Sequence, residues 1–310
     1  MHPFILHHYA NSPFSEKVRL ILGAKGMAWH SVHIPSVMPK PDVVALTGGY
    51  RRTPFMQRGA DIWCDTALIA RVLDRAQPEP PLYPPGCAGI APLLAQWADG
   101  TLFWSVIPYT LQPQGLTHVM AGVPPEGLKA FAADRAPFTA GMTRQTAADA
   151  TVALQTYLGW LEGQLGDARE FLCGAQLSIA DFAVAHCLWF IHLAPPMTAI
   201  LQPFERLRAW YGRVIAFGHG SLTPMKGNEA VAIAAAATTH EPVQVEPGLG
   251  FEAGEAVTVM PIDYGRDPVA GALVGLTHDE VVIERRDERA GTLHVHFPRL
   301  GFQIRKEVKA

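Results

Sequence analysis

Residues 4–7, Phe-Ile-Leu-His, form a short apolar run of strand length, and the polar loop after it ends at Ser12-Pro13. Serine is a favoured helix N-cap and proline is favoured at the first helical position, so a helix is predicted to start here, with Glu16 in its first turns. Phe14, Val18, Ile21 and Leu22 recur at helical spacing, and Gly23 and Gly26 mark the end. Residues 29–34 predict a second strand, and the Pro- and Gly-rich stretch 35–49 an irregular crossover with a helical turn at 42–46. Residues 55–57 and 61–64 read as two short strands around a Gly59 turn. Asp65-Thr66 then opens a helix with Leu68, Ile69, Val72 and Leu73 on its buried side. The order β-α-β-(α)-β-β-α predicts a thioredoxin-like mixed sheet.

Five prolines within residues 78–85 make a stiff linker and mark a boundary. Residues 90–220 are helical in pattern, and 143–165 predict a long helix with Ala147, Ala150, Leu154, Tyr157, Leu158 and Leu161 on one face. A turn at 171–174 leads into Ser178-Ile179-Ala180-Asp181, where serine and aspartate are spaced as a capping box. The following run, 182–191, is apolar nearly all round, which places that helix at the centre of its domain and gives Asp181 a structural role. Residues 226–237 are alanine-rich and predict one more helix. Beyond them, 257–260, 272–274, 281–284, 293–297 and 302–304 read as short strands, which predicts a small SH3-like barrel. The fold class is therefore multidomain α+β: a thioredoxin-like domain over 1–80, an all-α helical domain over 90–222, a helix and linker over 223–250, and a small all-β barrel over 251–310.

Composition narrows the chemistry. Of 310 residues, 49% are hydrophobic and 17% charged, which is enough to bury a core and excludes a disordered chain. Lys+Arg against Asp+Glu is 17 to 16 up to residue 240 and 8 to 12 beyond it, so neither part presents the basic face of a nucleic-acid binder. The first ten residues lack the apolar region of a signal peptide and no apolar run reaches membrane length, which leads to a cytoplasmic expectation with no membrane partner. Cys64, Cys87, Cys173 and Cys187 are far apart with no CxxC pair, so they are expected as free thiols. Among 13 histidines, His7 and His8 should point to opposite sides of a strand. His294 and His296 share a face, but no Cys or carboxylate is paired with them by spacing, so no metal is expected.

The stretch Ser12-Pro-Phe-Ser-Glu-Lys-Val-Arg19 resembles the first-helix motif of glutathione transferases, in particular the serine-bearing cytosolic type of the tau and omega classes. Thr53-Pro54 before the hairpin resembles that fold's cis-proline site, and Asp65-Thr66 its acidic-hydroxyl pair. The Phe171-Leu-Cys-Gly and Leu177-Ser-Ile-Ala-Asp181 segments look like the capping box of its helical domain. These features fall in the family's order across some 220 residues, while Tyr50-Arg51-Arg52 and the strands after residue 250 lie outside the resemblance.

The resemblance implies an enzyme that activates the thiolate of glutathione, a co-substrate, for attack on a small hydrophobic electrophile, acting as a homodimer. Physical chemistry points to the same place: a free thiol has a pKa of about 8.5, and a hydroxyl donor together with unpaired helix N-terminal amides would lower it. Ser12 is placed to do this, with Tyr9, Asn11 and Ser15 as alternates on the same loop and turn. Pro13 and Phe14 complete the motif beside the ligand. Thr53, ahead of Pro54, would pair its backbone with the peptide, and Asp65 and Thr66 would hold its γ-glutamyl end. Lys40, Arg51 and Arg52 are open choices for the glycyl carboxylate. Trp104 and Tyr109 lead the candidates for the electrophile's wall, with Trp97, Phe103, Phe131 and Phe138 behind them. Serine at position 12 cannot form a mixed disulfide, which argues against a thiol-disulfide reductase. The competing class is a catalytically inactive transferase-fold scaffold whose C-terminal strands recruit a partner.

Overall fold

The computed structural model describes residues 3–307. Strand β1 (Ile5–His8) leads through a short loop to Ser12, whose hydroxyl accepts the Ser15 amide at 3.2 Å and starts α1 (Pro13–Ala24). Then follow β2 (Ala28–His33), α2 (Pro41–Thr47), the hairpin β3 (Phe55–Arg58) and β4 (Asp61–Cys64), and α3 (Thr66–Ala76). β1 runs parallel to β2 and antiparallel to β3, the mixed sheet foreseen from the order of elements. The Thr53–Pro54 bond is cis. His7 and His8 do face opposite ways: His7 stacks on Phe55 and bonds Gln57, while His8 meets Ser31 and Arg19.

Seven helices form the next layer: α4 (Ile90–Trp97), α5 (Phe103–Thr110), α6 (Pro113–Val119), α7 (Pro125–Arg135), α8 (Ala147–Gln164), α9 (Ile179–His192) and α10 (Glu205–Ile215). A π-helical turn, Ala98–Leu102, joins α4 to α5. α9 is buried along nearly its whole length and carries the first core, which packs the helices against α1 and α3 on one face of the sheet. The buried Asp181 carboxylate takes the Leu172 amide at 2.8 Å, and the Ser178 amide, the Ser178 hydroxyl and the Trp210 indole at 2.9 Å each.

Strand β5 (Ser221–Met225) was not foreseen; it pairs in parallel with β2 and closes that edge of the sheet. To reach it, the chain passes close to α1, where a Cβ on Gly23 would stand 2.0 Å from the Gly218 carbonyl oxygen. Backbone meets backbone there, so Gly23→Ala is expected to lose about 1–3 kcal/mol, read as a lowered urea midpoint. An unchanged midpoint would mean that this contact relaxes freely.

Helix α11 (Gly227–Ala236) packs over α2 and the second face, followed by β6 (Ala256–Pro261), β7 (Val269–Leu276), β8 (Glu280–Asp287), β9 (Gly291–Pro298) and β10 (Phe302–Lys306). Five C-terminal strands are present as expected, in the spatial order β10-β6-β7-β8-β9 and antiparallel throughout. Strands β6 to β9 form an antiparallel meander, β10 returns to pair with β6, and β9 pairs in parallel with β4 through Asp61 with His294, Ile62 with Val295 and Trp63 with His296. The result is one ten-stranded sheet, β10-β6-β7-β8-β9-β4-β3-β1-β2-β5. The physical reason is the free edge of β4, whose unpaired N–H and C=O groups are satisfied by β9. Ile62, Val295, Phe297 and Leu293 are fully buried at this seam, within the second core.

Candidate functional site

The N-terminal parts of α1 and α3 meet the helical layer through Lys17, Thr66 and Asp99. At the start of α3, Asp65 holds a left-handed backbone, φ 75°, unusual for a residue other than glycine. Its carboxylate accepts the Ala67 amide at 2.9 Å, and burial pushes that carboxyl up, with the Arg52 guanidinium and the Ala67 amide opposing. Thr66 Oγ1 accepts from Lys17 Nζ at 3.2 Å, which ties α1 to α3. Lys17 also pairs with Asp99, which the π-helical turn presents, and the other Asp99 oxygen lies 3.0 Å from His186 Nε2 on α9. Burial raises the Asp99 carboxyl, but Lys17 and His186 more than offset this and leave it below the usual carboxylate range. Burial lowers His186.

The loop between β6 and β7, residues 262–268, packs on Arg52 and Trp104 beside these helix starts. Arg52 pairs with the Asp263 carboxylate and the Tyr264 carbonyl, and its Nη1 is 3.9 Å from Asp65 Oδ2. The Tyr264 ring centroid sits 3.9 Å from the Arg52 guanidinium carbon, and its plane meets Trp104 edge-on at 5.2 Å. The Gly265 amide donates to the Phe138 carbonyl at 2.9 Å, and Arg266 donates to the Ala140 carbonyl at 3.1 Å. The loop therefore bridges the C-terminal meander and the helical layer. Burial pushes the Tyr264 phenol well up.

A second charged cluster adjoins it. Asp134 of α7 accepts from Arg51 at 2.9 Å and from Arg135. Lys40 is buried beside them; its ammonium is pushed down to about 8 by burial and by Arg135 and Arg51, with Asp134 opposing.

Each residue singled out in the sequence can now be placed. Ser12 is 2% exposed and serves α1 as its N-cap. The Tyr9 carbonyl accepts the Ser12 amide at 3.2 Å while its ring packs on the second core. Asn11 donates to the Val119 carbonyl at 3.2 Å. The Ser15 hydroxyl is buried with no hydrogen-bond partner among the described residues. Pro13 is the first residue of α1, and Phe14 packs on Phe103 at 4.7 Å and His186 at 4.9 Å. Arg52 is drawn to Asp65, whereas Lys40 and Arg51 gather around Asp134. Trp104 faces the β6–β7 loop, and Phe138 and Phe131 lie under Arg51 and Arg135. Tyr109 donates its hydroxyl to the Met197 carbonyl at 2.8 Å inside the first core, and Trp97 packs on Tyr157. Sequence reasoning missed Lys17, Asp99, Asp134, Asp263 and Tyr264. Asp99-Gly100 interrupts the apolar pattern between Trp97 and Phe103 and was the one local signal; nothing local marks Tyr264.

Comparison with known proteins gives consistent matches. Residues 6–81 match the family "Glutathione S-transferase, N-terminal domain" and residues 143–213 "Glutathione S-transferase, C-terminal domain". A solved GST-like protein from Pseudomonas syringae is 39% identical, covering 99% of this chain and 100% of its own, with a TM-score of 0.82. The FtsZ-localized protein A of Caulobacter vibrioides is 26% identical over 212 residues, 66% of this chain and 84% of that protein. A glutathione S-transferase from Rhodospirillum rubrum, 20% identical over 69% of this chain and 88% of its own, shares the fold with a TM-score of 0.53.

Proposed function

The chain belongs to the glutathione S-transferase family, and from that premise we propose that it binds glutathione beneath the β6–β7 loop and activates the thiol for attack on a small hydrophobic electrophile. The observation that carries this reading is the left-handed backbone at Asp65. Such strain costs about 1–3 kcal/mol and persists where it serves a ligand; here it sets the start of α3. Asp65 and Thr66 receive the γ-glutamyl group, the Thr53 backbone aligns the peptide, and Arg52 or Lys40 meets the glycyl carboxylate. Ser12 spends one lone pair on the Ser15 amide, and its O–H remains available to a thiolate. Thiolate stabilisation at a helix N-terminus is then the source of reactivity. Trp104 forms the wall that the electrophile meets once Tyr264 withdraws. The protein acts as a homodimer, to which the exposed Ile90 and Leu93 on α4 lend apolar surface; sedimentation velocity tests that point. No described helix is long and apolar enough to cross a membrane, in keeping with a cytoplasmic setting.

A second reading has its own support. Asp263 and the Tyr264 carbonyl already satisfy Arg52, and Asp134 satisfies Arg51, so the cations that a peptide carboxylate would seek are taken. A protein that keeps this arrangement permanently would be a binding or scaffold protein without transferase activity. The relative whose name records localisation with FtsZ fits a partner rather than a substrate.

Calorimetric titration with reduced glutathione separates the two. The wild type is expected to bind, Asp65→Ala to weaken binding by about tenfold or more, equivalent to about 1.4 kcal/mol, and Asp263→Ala to strengthen it by removing the carboxylate that engages Arg52. No saturable binding to wild type or Asp263→Ala at several millimolar would retire the enzyme reading and leave the scaffold.

A further inference from the structure

Three segments far apart in the chain bring metal-ligand atoms to one point. Asp61 opens β4 in register with His294 of β9, and His240 lies on the segment that follows α11. Their ligand atoms fall within 4.8 Å of one another, and the Nδ1 atoms of His240 and His294 are each 3.9 Å from Asp61 Oδ1. The two imidazoles stack with centroids 3.8 Å apart and planes 16° from parallel. Both Nδ1 atoms are buried without a hydrogen-bond partner among the described residues, an arrangement that costs free energy unless something fills it. The separation of 3.9 Å is too long for either nitrogen to bond the carboxylate.

The surroundings orient all three side chains. His296, on the same face of β9, places Nε2 2.9 Å from Asp61 Oδ1 and Nδ1 2.6 Å from Glu280. The Glu241 amide donates to Asp61 Oδ2 at 3.0 Å. Glu284 lies 3.7 Å from His294 Nε2, which favours the proton on that nitrogen and leaves Nδ1 a bare lone pair. A carboxylate oxygen has two lone pairs, so Asp61 Oδ1 can accept from His296 and bind a cation together. Outer hydrogen bonds of this kind hold metal ligands in place.

We propose that Asp61, His240 and His294 form a zinc site, with water as the fourth ligand, that fastens the connecting segment and the C-terminal meander to the edge of β4. Zinc–ligand bonds of about 2.0–2.2 Å place tetrahedral ligand atoms about 3.4 Å apart, so each imidazole Nδ1, now 3.9 Å from Asp61 Oδ1, closes on the carboxylate by about half an ångström. The stacked rings hold their lone pairs in nearly parallel planes, so His240, on a partly exposed connecting segment, also turns its ring out of the stack to bring its Nδ1 onto the ion. Two imidazoles and one carboxylate suit zinc, whereas calcium and magnesium take oxygen ligands. His296 is a positioning residue that acts through Asp61.

The test uses the full-length protein stripped with a chelator and titrated with zinc chloride against a chromophoric chelator, with cobalt(II) as the spectroscopic probe. One zinc per chain is expected, with the intense visible bands of four-coordinate cobalt. His240→Ala and His294→Asn should each weaken binding by about 100-fold or more, His296→Gln by about tenfold with the stoichiometry kept, and the exposed His278→Ala should change nothing. His240→Ala should keep the wild-type urea midpoint in chelator, which distinguishes metal loss from unfolding. Affinity weaker than about 100 μM, or affinity unaltered by both His240→Ala and His294→Asn, would overturn the site.

Discussion

Asp181→Ala is expected to destabilise the protein by about 3–5 kcal/mol, measured by urea unfolding. The reason is the number of donors that the carboxylate serves at once. Two amides, a hydroxyl and an indole N–H converge on it within 2.9 Å, and all are buried. Removing the acceptor leaves each donor desolvated and unpaired, which costs more than the bonds themselves contributed. Trp210 links the network to α10, and the Leu172 amide links it to the turn before α9, so the loss spreads through the helical layer. Asp181→Asn should recover little, because its amide group presents donors to donors. A loss below about 1 kcal/mol would show that water replaces the carboxylate at no great cost.

Acidification should cost stability from about pH 6.5 downward, before most carboxylates titrate. Burial holds His7 at about 4 and, with help from the Arg19 charge, His8 at about 3, both from an ordinary value of 6.5. Between those limits the unfolded chain takes up protons that the folded chain refuses, so stability falls as the pH falls. By pH 4 each histidine contributes a loss of about 3 kcal/mol, from 1.36 kcal/mol per pH unit. Arg19 donates to His8 Nδ1 at 3.1 Å, a bond that exists only while that ring is neutral. Urea midpoints at pH 7, 5.5 and 4.5 test this, with His7→Gln expected to remove about one proton's worth of slope. An identical pH profile for that variant would place the acid lability elsewhere.

Local signals carried the sequence reading as far as local chemistry decides the fold. Ser12-Pro13 starts α1 and Asp65 caps α3 because capping groups act within a few residues, so both helix starts were legible. Asp181 was legible for the same reason. Strand β5 was not, since Ser221–Met225 is largely exposed, contains Pro224, and is a strand only because β2 lies beside it. The seam between β4 and β9 was hidden for the same non-local cause: alternation reveals a strand but not its neighbour. Tyr264 covers Arg52 through a loop more than two hundred residues away in sequence. The histidines followed suit, because His294 and His296 lacked a carboxylate by spacing and obtained Asp61 only through pairing between strands.

The position of β9 also bears on how the protein is made. Its pairing with β4 joins the thioredoxin-like part of the sheet to a strand made more than two hundred residues later. Until then the thioredoxin-like unit carries a bare hydrogen-bonding edge flanked by apolar residues, the template on which nascent chains aggregate or exchange strands. A chain shortened before β9 should thus be a sticky fragment rather than a smaller folded protein.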